Sequence, residues 1–336
     1  MDDNCEIRRI SKDEMSGDIP YDVDIQRYNG GQQPPMPKEA GLRTVLPLKL
    51  LAQKVLAKTR AAETDFAFLQ HVVTEDKCPE FHGYNTRLCR EQGHQPQAKT
   101  KVVYMPLIDM KPSDPDTIMT AMYLGQKLTI ATGQRFTVLT CDQQLYRVAV
   151  QVLWSYPEKF PETYLRLGGM HALMSFVGSI GTLMTDTGRS EVLGEVFGGV
   201  QKMLSGKKFP QNVCALRMLA EEVLRCIIEG HQIRGMEDLM GFLEERSQQS
   251  KTVKVWVDVV IKPMFITMAY IRAEREGDWL LHLAAFRQMI PYLFAAGHFN
   301  YARYGSYYLR SMEKLPQHVL DNFLKGEHVM HHLRGL

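Results

Sequence analysis

The chain has 336 residues, of which 45% are hydrophobic and 23% charged, and its formal net charge at pH 7 is +2. This length and composition suit two globular domains, or one large domain with additions, and a core of this size needs no disulfides. The near-neutral charge excludes a strong overall attraction to nucleic acid or to a membrane surface.

The cysteines and the chain start predict an intracellular protein, nuclear or cytoplasmic and not secreted. The N-terminus is acidic and polar, unlike a signal peptide, and no apolar run reaches the 18 residues that a transmembrane helix needs. The cysteines are scattered and form no dense framework, which favours free thiols. They are Cys5, Cys78, Cys89, Cys141, Cys214 and Cys226.

The N-terminal third divides into two predicted parts. Residues 1–40 are acidic and include Tyr28–Pro37, which is rich in Gly, Gln and Pro, so we expect a disordered tail. Residues 41–100 are expected to hold one helix, near 45–69, followed by a polar loop that contains cysteines and histidines.

Four residues of that loop could bind zinc. Cys78, His82, Cys89 and His94 lie within 17 residues and carry the sulfur and nitrogen ligands that tetrahedral zinc prefers. Their order is not a common zinc pattern, and a plain polar loop is the favoured interpretation.

Residues 101–188 alternate between strand and helix patterns. We predict strands at 101–109, 135–141 and 164–168, with helices at 145–154 and 171–184. Another helix begins after Asp114, a natural N-cap that is followed by Pro115. The β-α-β-α-β-α order predicts a small, mostly parallel sheet in an α/β fold.

From residue 189 onward the pattern is almost entirely helical. We predict helices near 190–204, 211–230, 235–246, 251–274, 279–293, 298–313 and 317–325, separated by glycines and a proline. The chain stops at Leu336 without a closing element, so we expect this large helical region, 189–336, to be cut short at its C-terminus.

Three polar residues directly follow the predicted strands. Because ligand sites of open parallel sheets gather at the carboxyl ends of the strands, Asp109, Asp142 and His171 are the candidate catalytic residues. Asp142 and Asp109 could share a Mg²⁺ or Mn²⁺ ion, and His171 could bind a metal or move protons.

Each of these candidates also has a structural explanation. Asp142 could simply cap the helix that follows it, and His171 could pack with its ring bonded to a backbone carbonyl. Cys141 with His171 could form a thiol–imidazole pair, although a buried cysteine is the simpler interpretation.

Two further regions carry candidate nucleic-acid contacts. Lys207 and Lys208 follow Gly206 in a stretch that fails the phosphate-loop motif but could still contact a phosphate backbone. Tyr301, Tyr304 and Tyr308 fall on one helical face with Arg303 nearby, a face that could stack on bases or belong to the core.

The chain resembles a family of uncharacterised invertebrate and fish proteins that look related to transposable-element products. The resemblance covers roughly residues 78–330. The matching stretches are Pro106–Thr117, Thr140–Tyr146, Arg166–His171, Gly206–Asn212 and Ala295–Tyr304.

More distantly, the chain resembles DDE-type transposases with a ribonuclease-H-like fold, in which acidic residues hold divalent metals for DNA strand transfer. The resemblance gives Asp142 the place of the first aspartate. Gly168 and Gly169 stand where the second acid is expected, and the last acid is expected beyond Leu336. It therefore implies a DNA-associated protein of mobile-element origin with an incomplete or inactive site. The alternative is a non-enzymatic helical interaction module, with Tyr301, Tyr304 and Arg303 buried.

Overall fold

The computed structural model describes residues 23–31, 104–184 and 209–329. In chain order its elements are α1 (Pro115–Ala131), β1 (Thr137–Cys141), α2 (Gln143–Ser155), β2 (Thr163–Leu167), α3 (Gly169–Leu183), α4 (Phe209–Gly230), α5 (Met236–Gln249), α6 (Lys251–Trp256), a π-helical turn (Val257–Ile261), α7 (Lys262–Glu276), α8 (Trp279–Ala295), α9 (Phe299–Met312) and α10 (Gln317–Leu324).

The α/β unit contains a two-stranded parallel sheet. β1 and β2 pair with Thr137 opposite Thr163 and with Cys141 opposite Leu167. The helix α2 makes the crossover between them and packs on α1 and on both strands. The strands predicted at 135–141 and 164–168 are confirmed, as is the start of α1 at Pro115 behind its cap Asp114.

The strand predicted at 101–109 does not form over its described part. Residues 104–109 have no regular secondary structure, and the side chains of Tyr104 and Leu107 are exposed. Pro106 lies in the middle of this stretch and has no N–H to donate to a strand ladder, which explains why the apolar pattern alone is not enough. Asp109 therefore does not end a strand.

Part of the predicted disordered tail is ordered. Residues 23–31 run as an extended segment against α1 and the end of α2, where Tyr28 packs edge-on against Tyr156. The composition predicted disorder because this segment cannot form a helix or a strand whose backbone hydrogen bonds stay within the segment. The folded helices supply them, as in the bond from Gln26 N to Thr120 Oγ1.

The helical region follows the predicted order, and the helix expected at 190–204 lies outside the described residues. The break near residue 277 has a clear local cause, because Gly277 takes φ +67°, the left-handed conformation that glycine adopts at helix ends. The predicted helix 251–274 contains a π-helical turn just before Pro263. Proline removes one N–H from the helical ladder, and such local adjustments commonly accompany it.

The α/β unit and the helical region share one hydrophobic core. The helix α3 packs on α7 and α8, and α9 packs on α2 and β2. Aromatic pairs join the two regions: Phe176 meets Tyr292 edge-on at 5.6 Å, and Tyr146 meets Tyr308 at 6.2 Å between ring centroids. The helical region therefore packs against the α/β unit and does not form a separate core.

The N-cap of α8 gives a test of this local structure. Asp278 Oδ1 accepts a hydrogen bond of 2.9 Å from Leu281 N. We expect Asp278→Ala to lower the free energy of unfolding by about 1 kcal/mol, because the first-turn N–H loses its acceptor, and Asp278→Asn to change it by much less. Urea denaturation of the three proteins measures this, and equal stability of the alanine and asparagine variants would contradict the assignment.

Candidate functional site

The carboxyl ends of β1 and β2 lie side by side. Gly168 N donates a hydrogen bond of 2.6 Å to Cys141 O, which joins the two strand ends. A Cβ atom at Gly168 would lie 2.8 Å from that carbonyl oxygen, too close for any other residue without movement. Asp142 and the first turn of α3 therefore occupy one edge of the sheet, the carboxyl edge.

At this edge Asp142 is half-buried and serves as the N-cap of α2. Its Oδ1 accepts a hydrogen bond of 2.9 Å from Leu145 N, which is the structural role that the sequence offered as the alternative. His171 lies in the first turn of α3 and is exposed, as is Asp109. Among the described residues these three are not part of any group of three or more His, Cys, Asp or Glu side chains placed to hold a metal ion.

Cys141 is buried beside Asp142. Burial raises the pKa of its thiol to about 12, and the neighbouring Asp142 carboxylate acts in the same direction. A thiol with this pKa is almost fully protonated at neutral pH, whereas a nucleophile requires the thiolate. The geometry therefore favours a packed cysteine over a thiol–imidazole pair with the exposed His171.

The tyrosine face of α9 belongs mostly to the core. Tyr304 and Tyr308 are buried, and Tyr301 is half-buried near Asp142 and Ser175. Arg303 is exposed, so the expectation that it is buried together with these tyrosines is wrong.

Two arginines from different helices flank this face. The pKa of Tyr304 is raised by burial, while the charges of Arg147 on α2 and Arg303 on α9 both act to lower it. Arg147 is exposed like Arg303. Arg147 lies in the second turn of the helix that Asp142 caps, and therefore close to the carboxyl edge.

Several predicted site residues fall outside the described residues. They are the four candidate zinc ligands and the two lysines, namely Cys78, His82, Cys89, His94, Lys207 and Lys208.

A buried polar network lies beneath the carboxyl edge. Arg166, on β2, forms an ion pair of 2.6 Å with Glu274 Oε1 on α7. His282 on α8 brings its Nδ1 to 2.6 Å from the same oxygen, and its Nε2 lies 2.9 Å from the hydroxyl of Tyr308 on α9. Three elements of the fold thus meet at one carboxylate, and α9 joins them through His282. We call these four residues the buried network.

Opposing effects set the charges in this network. Burial raises the pKa of Glu274, but the contacts with His282 and Arg166 outweigh it and hold that pKa well below its usual range. Burial lowers the pKa of His282 despite Glu274, so this imidazole is neutral at pH 7. The nearby carboxylate favours the proton on Nδ1, and we therefore assign Nε2 as the acceptor of the Tyr308 hydroxyl.

The hydrogen bonds of the network are not all satisfied within the described part of the chain. The short contact of His282 Nδ1 with Glu274 is poorly aligned, and Nδ1 has no straight hydrogen bond. Arg166 Nε, Trp279 Nε1 and His328 Nε2 are also buried and have no hydrogen-bond partner among the described residues. Since such atoms are costly to bury, they are sites where an internal water would stabilise the fold.

Gly169 connects the buried network to the carboxyl edge. A Cβ atom at this position would lie 2.9 Å from the Tyr270 hydroxyl and 3.0 Å from Glu274 Oε2. The glycine lets the Glu274 carboxylate approach the first turn of α3, where the helix dipole favours a negative charge. The Glu274 side chain remains 25% exposed, so the network reaches the surface through this carboxylate.

Sequence reasoning did not find this network. A signal was present at Arg166, a charged residue in the centre of the predicted strand 164–168, since a charge buried in a strand requires a partner. Nothing in the local pattern pointed to its partners, because Glu274 and His282 lie more than a hundred residues away in the sequence. Each is on a predicted helix, where an acid is expected on the solvated face and a histidine can simply pack in the core.

One family model matches residues 80–240 and 227–334, described as "Domain of unknown function (DUF8702)". The chain belongs to this family. No curated protein and no solved structure matches the chain. Within the described ranges, no helix combines the length and hydropathy that crossing a membrane requires. The family membership covers the carboxyl edge and the buried network and assigns no chemistry to either.

We expect Glu274→Gln to lower the free energy of unfolding by about 3 kcal/mol, because it leaves the Arg166 guanidinium buried without a counter-charge. Adding Arg166→Met to that variant should restore a large part of the loss, since the double variant buries no unpaired charge. A double-mutant cycle from urea denaturation measures the coupling. Strictly additive effects would show that the two side chains do not depend on each other.

The buried histidines predict a loss of stability in mild acid. Burial and the nearby Arg166 lower the pKa of His328 to about 3, against about 6.5 for histidine in an unfolded chain. Between these values the unfolded state binds the extra proton, so the stabilisation present above pH 6.5 is lost as the pH falls. The slope for one such histidine approaches about 1.4 kcal/mol per pH unit.

This loss can be measured as the free energy of unfolding from pH 7 to pH 4.5, in the wild type and in His328→Gln. We expect a shallower slope in the variant, which cannot titrate at this position. Glu274 adds its own loss only near and below about pH 4.5, because its pKa is also lowered in the folded state. Identical slopes in the two proteins would contradict the buried, neutral state of His328.

Proposed function

We propose that this chain is a nucleic-acid-associated protein of mobile-element origin whose α/β unit descends from a ribonuclease-H-like core. The support is the order β1-α2-β2-α3 together with an aspartate directly after β1, the position that the resemblance to DDE-type transposases gives to the first catalytic acid. The DNA contact would lie beside the carboxyl edge, on the packed helices α2 and α9, whose Arg147 and Arg303 both act on the charge of Tyr304.

The residues at this edge do not fit a complete metal site. The resemblance implies Mg²⁺ or Mn²⁺ held between carboxylates, but Asp142 uses an oxygen to cap α2, and the Glu274 carboxylate is already paired with Arg166 and His282. In the described part of the chain no group of three potential ligands surrounds Asp142. We therefore assign no catalytic step to a metal and propose binding of DNA without cleavage.

The observation that carries the binding proposal is the exposed arginine pair. Guanidinium groups bind phosphate oxygens, and such contacts position a protein on nucleic acid without reading its sequence. The overall charge of +2 provides no general attraction, so a local cluster would have to supply it.

The alternative, a helical protein-interaction module, has a specific observation of its own. Phe294 and Phe299 flank the turn between α8 and α9, are 46% and 61% exposed, and meet edge-on at 5.5 Å. Exposed aromatic pairs of this kind occur at protein interfaces. This aromatic pair lies in the helical region and shares no residue with the arginine pair.

The binding proposal is tested by titrating duplex DNA at several salt concentrations. We expect the double variant Arg147→Ala, Arg303→Ala to bind several-fold more weakly, and to reduce the slope of log affinity against log salt by about 2 if each guanidinium contacts one phosphate. The matched control replaces the exposed Arg234 and Arg246 by alanine, an equal charge change at another place. Equal losses in both double variants would overturn the assignment of this face.

A nicking assay with Mg²⁺ or Mn²⁺ tests the absence of cleavage. The comparison uses Asp142→Asn, because asparagine caps a helix about as well as aspartate but lacks the charge. We expect the wild type and this variant to give the same background. Metal-dependent nicking that the substitution abolishes would show an active Asp142 site and overturn the proposal of an incomplete one.

A further inference from the structure

The ordered N-terminal segment, residues 23–31, lies in a groove made by two helices. We call this segment the strap. One wall of the groove is the first part of α1, with Asp116 and Thr120, and the other is the C-terminal end of α2, with Ser155 and its C-cap Tyr156. The strap contacts these walls mainly through polar groups with defined directions.

One carboxylate of the groove recognises two features of the strap. Asp116 Oδ1 accepts a hydrogen bond of 2.7 Å from Tyr28 N, and its Oδ2 pairs with the Arg27 guanidinium at 2.8 Å. These contacts outweigh partial burial and lower the pKa of Asp116, the backbone hydrogen bond being the largest contribution. The carboxylate thus fixes both the backbone position and the charge of the neighbouring residue.

Two hydroxyl groups fix the strap backbone on either side of this carboxylate. Gln26 N donates to Thr120 Oγ1 at 2.9 Å, and Asn29 N donates to the Tyr156 hydroxyl at 2.9 Å. The strap therefore gives three backbone N–H groups to side chains of the groove, in the way that a bound peptide does.

The Tyr28 side chain and Gly30 make the groove specific for the sequence of the strap. The Tyr28 ring meets Tyr156 edge-on at 5.9 Å, and its hydroxyl lies 3.1 Å from Ser155 Oγ. At Gly30 a Cβ atom would lie only 2.6 Å from Ser155 Oγ. The groove accordingly accepts an arginine and a tyrosine at adjacent positions and a residue without a side chain two positions later.

The groove does not depend on the strap for its own fold. The helix α1 is capped by Asp114 and buries Ile118, Met119 and Met122 in the main core, and α2 is capped by Asp142. The Asp116 carboxylate, by contrast, receives hydrogen bonds only from the strap among the described contacts. A folded groove with an unoccupied carboxylate can therefore exist when the strap leaves.

We propose that this groove is a sequence-specific peptide-docking site for the motif Gln-Arg-Tyr-Asn-Gly, and that the chain's own strap is its detachable occupant. The complementary charges of Arg27 and Asp116 and the close approach at Gly30 select this segment over other extended peptides.

The experiment uses the full chain with the strap disabled by Arg27→Ala and Tyr28→Ala. A labelled synthetic peptide with the sequence of residues 23–31 is titrated into this vacated protein, up to millimolar concentration because tethering normally supplies an effective concentration of that order. The same titration is run with a peptide carrying Gly30→Ala. It is also run with the vacated protein carrying Asp116→Asn, and with Asp114→Asn as the matched control, because Asp114 caps α1 without contacting the strap.

We expect saturable binding of the native peptide to the vacated protein and to its Asp114→Asn form, and at least tenfold weaker binding for Gly30→Ala. Binding should be severalfold weaker for Asp116→Asn, which keeps an acceptor for Tyr28 N but loses the charge pair with the exposed Arg27. Circular dichroism confirms that each variant is folded. Binding that ignores Gly30 or Asp116 would overturn the proposal, and so would absence of binding to the folded vacated protein.

Hydrogen exchange on the unmodified chain gives an independent check of docking. The amides of Gln26, Tyr28 and Asn29 should be protected, because they donate to the groove, and Asp116→Ala, which removes the acceptor, should remove the protection of Tyr28. Uniformly fast exchange of all three amides in the wild type would show that the strap does not occupy the groove.

Discussion

The ion pair between Arg166 and Glu274 is the interaction on which the arrangement of the fold depends. Arg166 comes from the second strand and Glu274 from a helix 108 residues later, so their pairing joins the α/β unit to the helical region. An isolated charge at either position would be costly to bury, and each therefore requires the other. His282 and Tyr308 extend the pair to two more helices, and these directional contacts fix how the helices cover the sheet.

The carboxyl edge of the sheet shows how one geometry can suit both structure and chemistry. Parallel strands place the starts of α2 and α3 next to each other, and the N–H groups at those helix starts require acceptors. Asp142 meets this need for α2, and the Glu274 carboxylate approaches the first turn of α3 because Gly169 leaves space. Asp142 and Glu274 are thus engaged in structural contacts, which is why we favour DNA binding over cleavage there.

Local sequence patterns predicted helices and strands correctly where the hydrophobic pattern agrees with the residues' ability to form backbone hydrogen bonds. The β-branched run before Cys141 and the Asp114–Pro115 start both appear as expected, since propensity and capping act within a few residues. The same reasoning was wrong at 104–109, where apolar residues suggest a strand but Pro106 cannot join a ladder. It was wrong again at residues 23–31, where composition suggests disorder and distant side chains supply the hydrogen-bond partners.

The sequence by itself determined the α/β-then-helical order, the parallel pairing of two strands and the position of Asp142 at a strand end, because hydrophobic periodicity and chain connectivity are local properties. Only the tertiary structure decided that Asp142 caps a helix, that Arg303 is exposed while Tyr304 and Tyr308 are buried, and that Arg166 meets Glu274. These outcomes depend on which distant side chains share a space once the core has formed, and a single sequence carries no local signal for that.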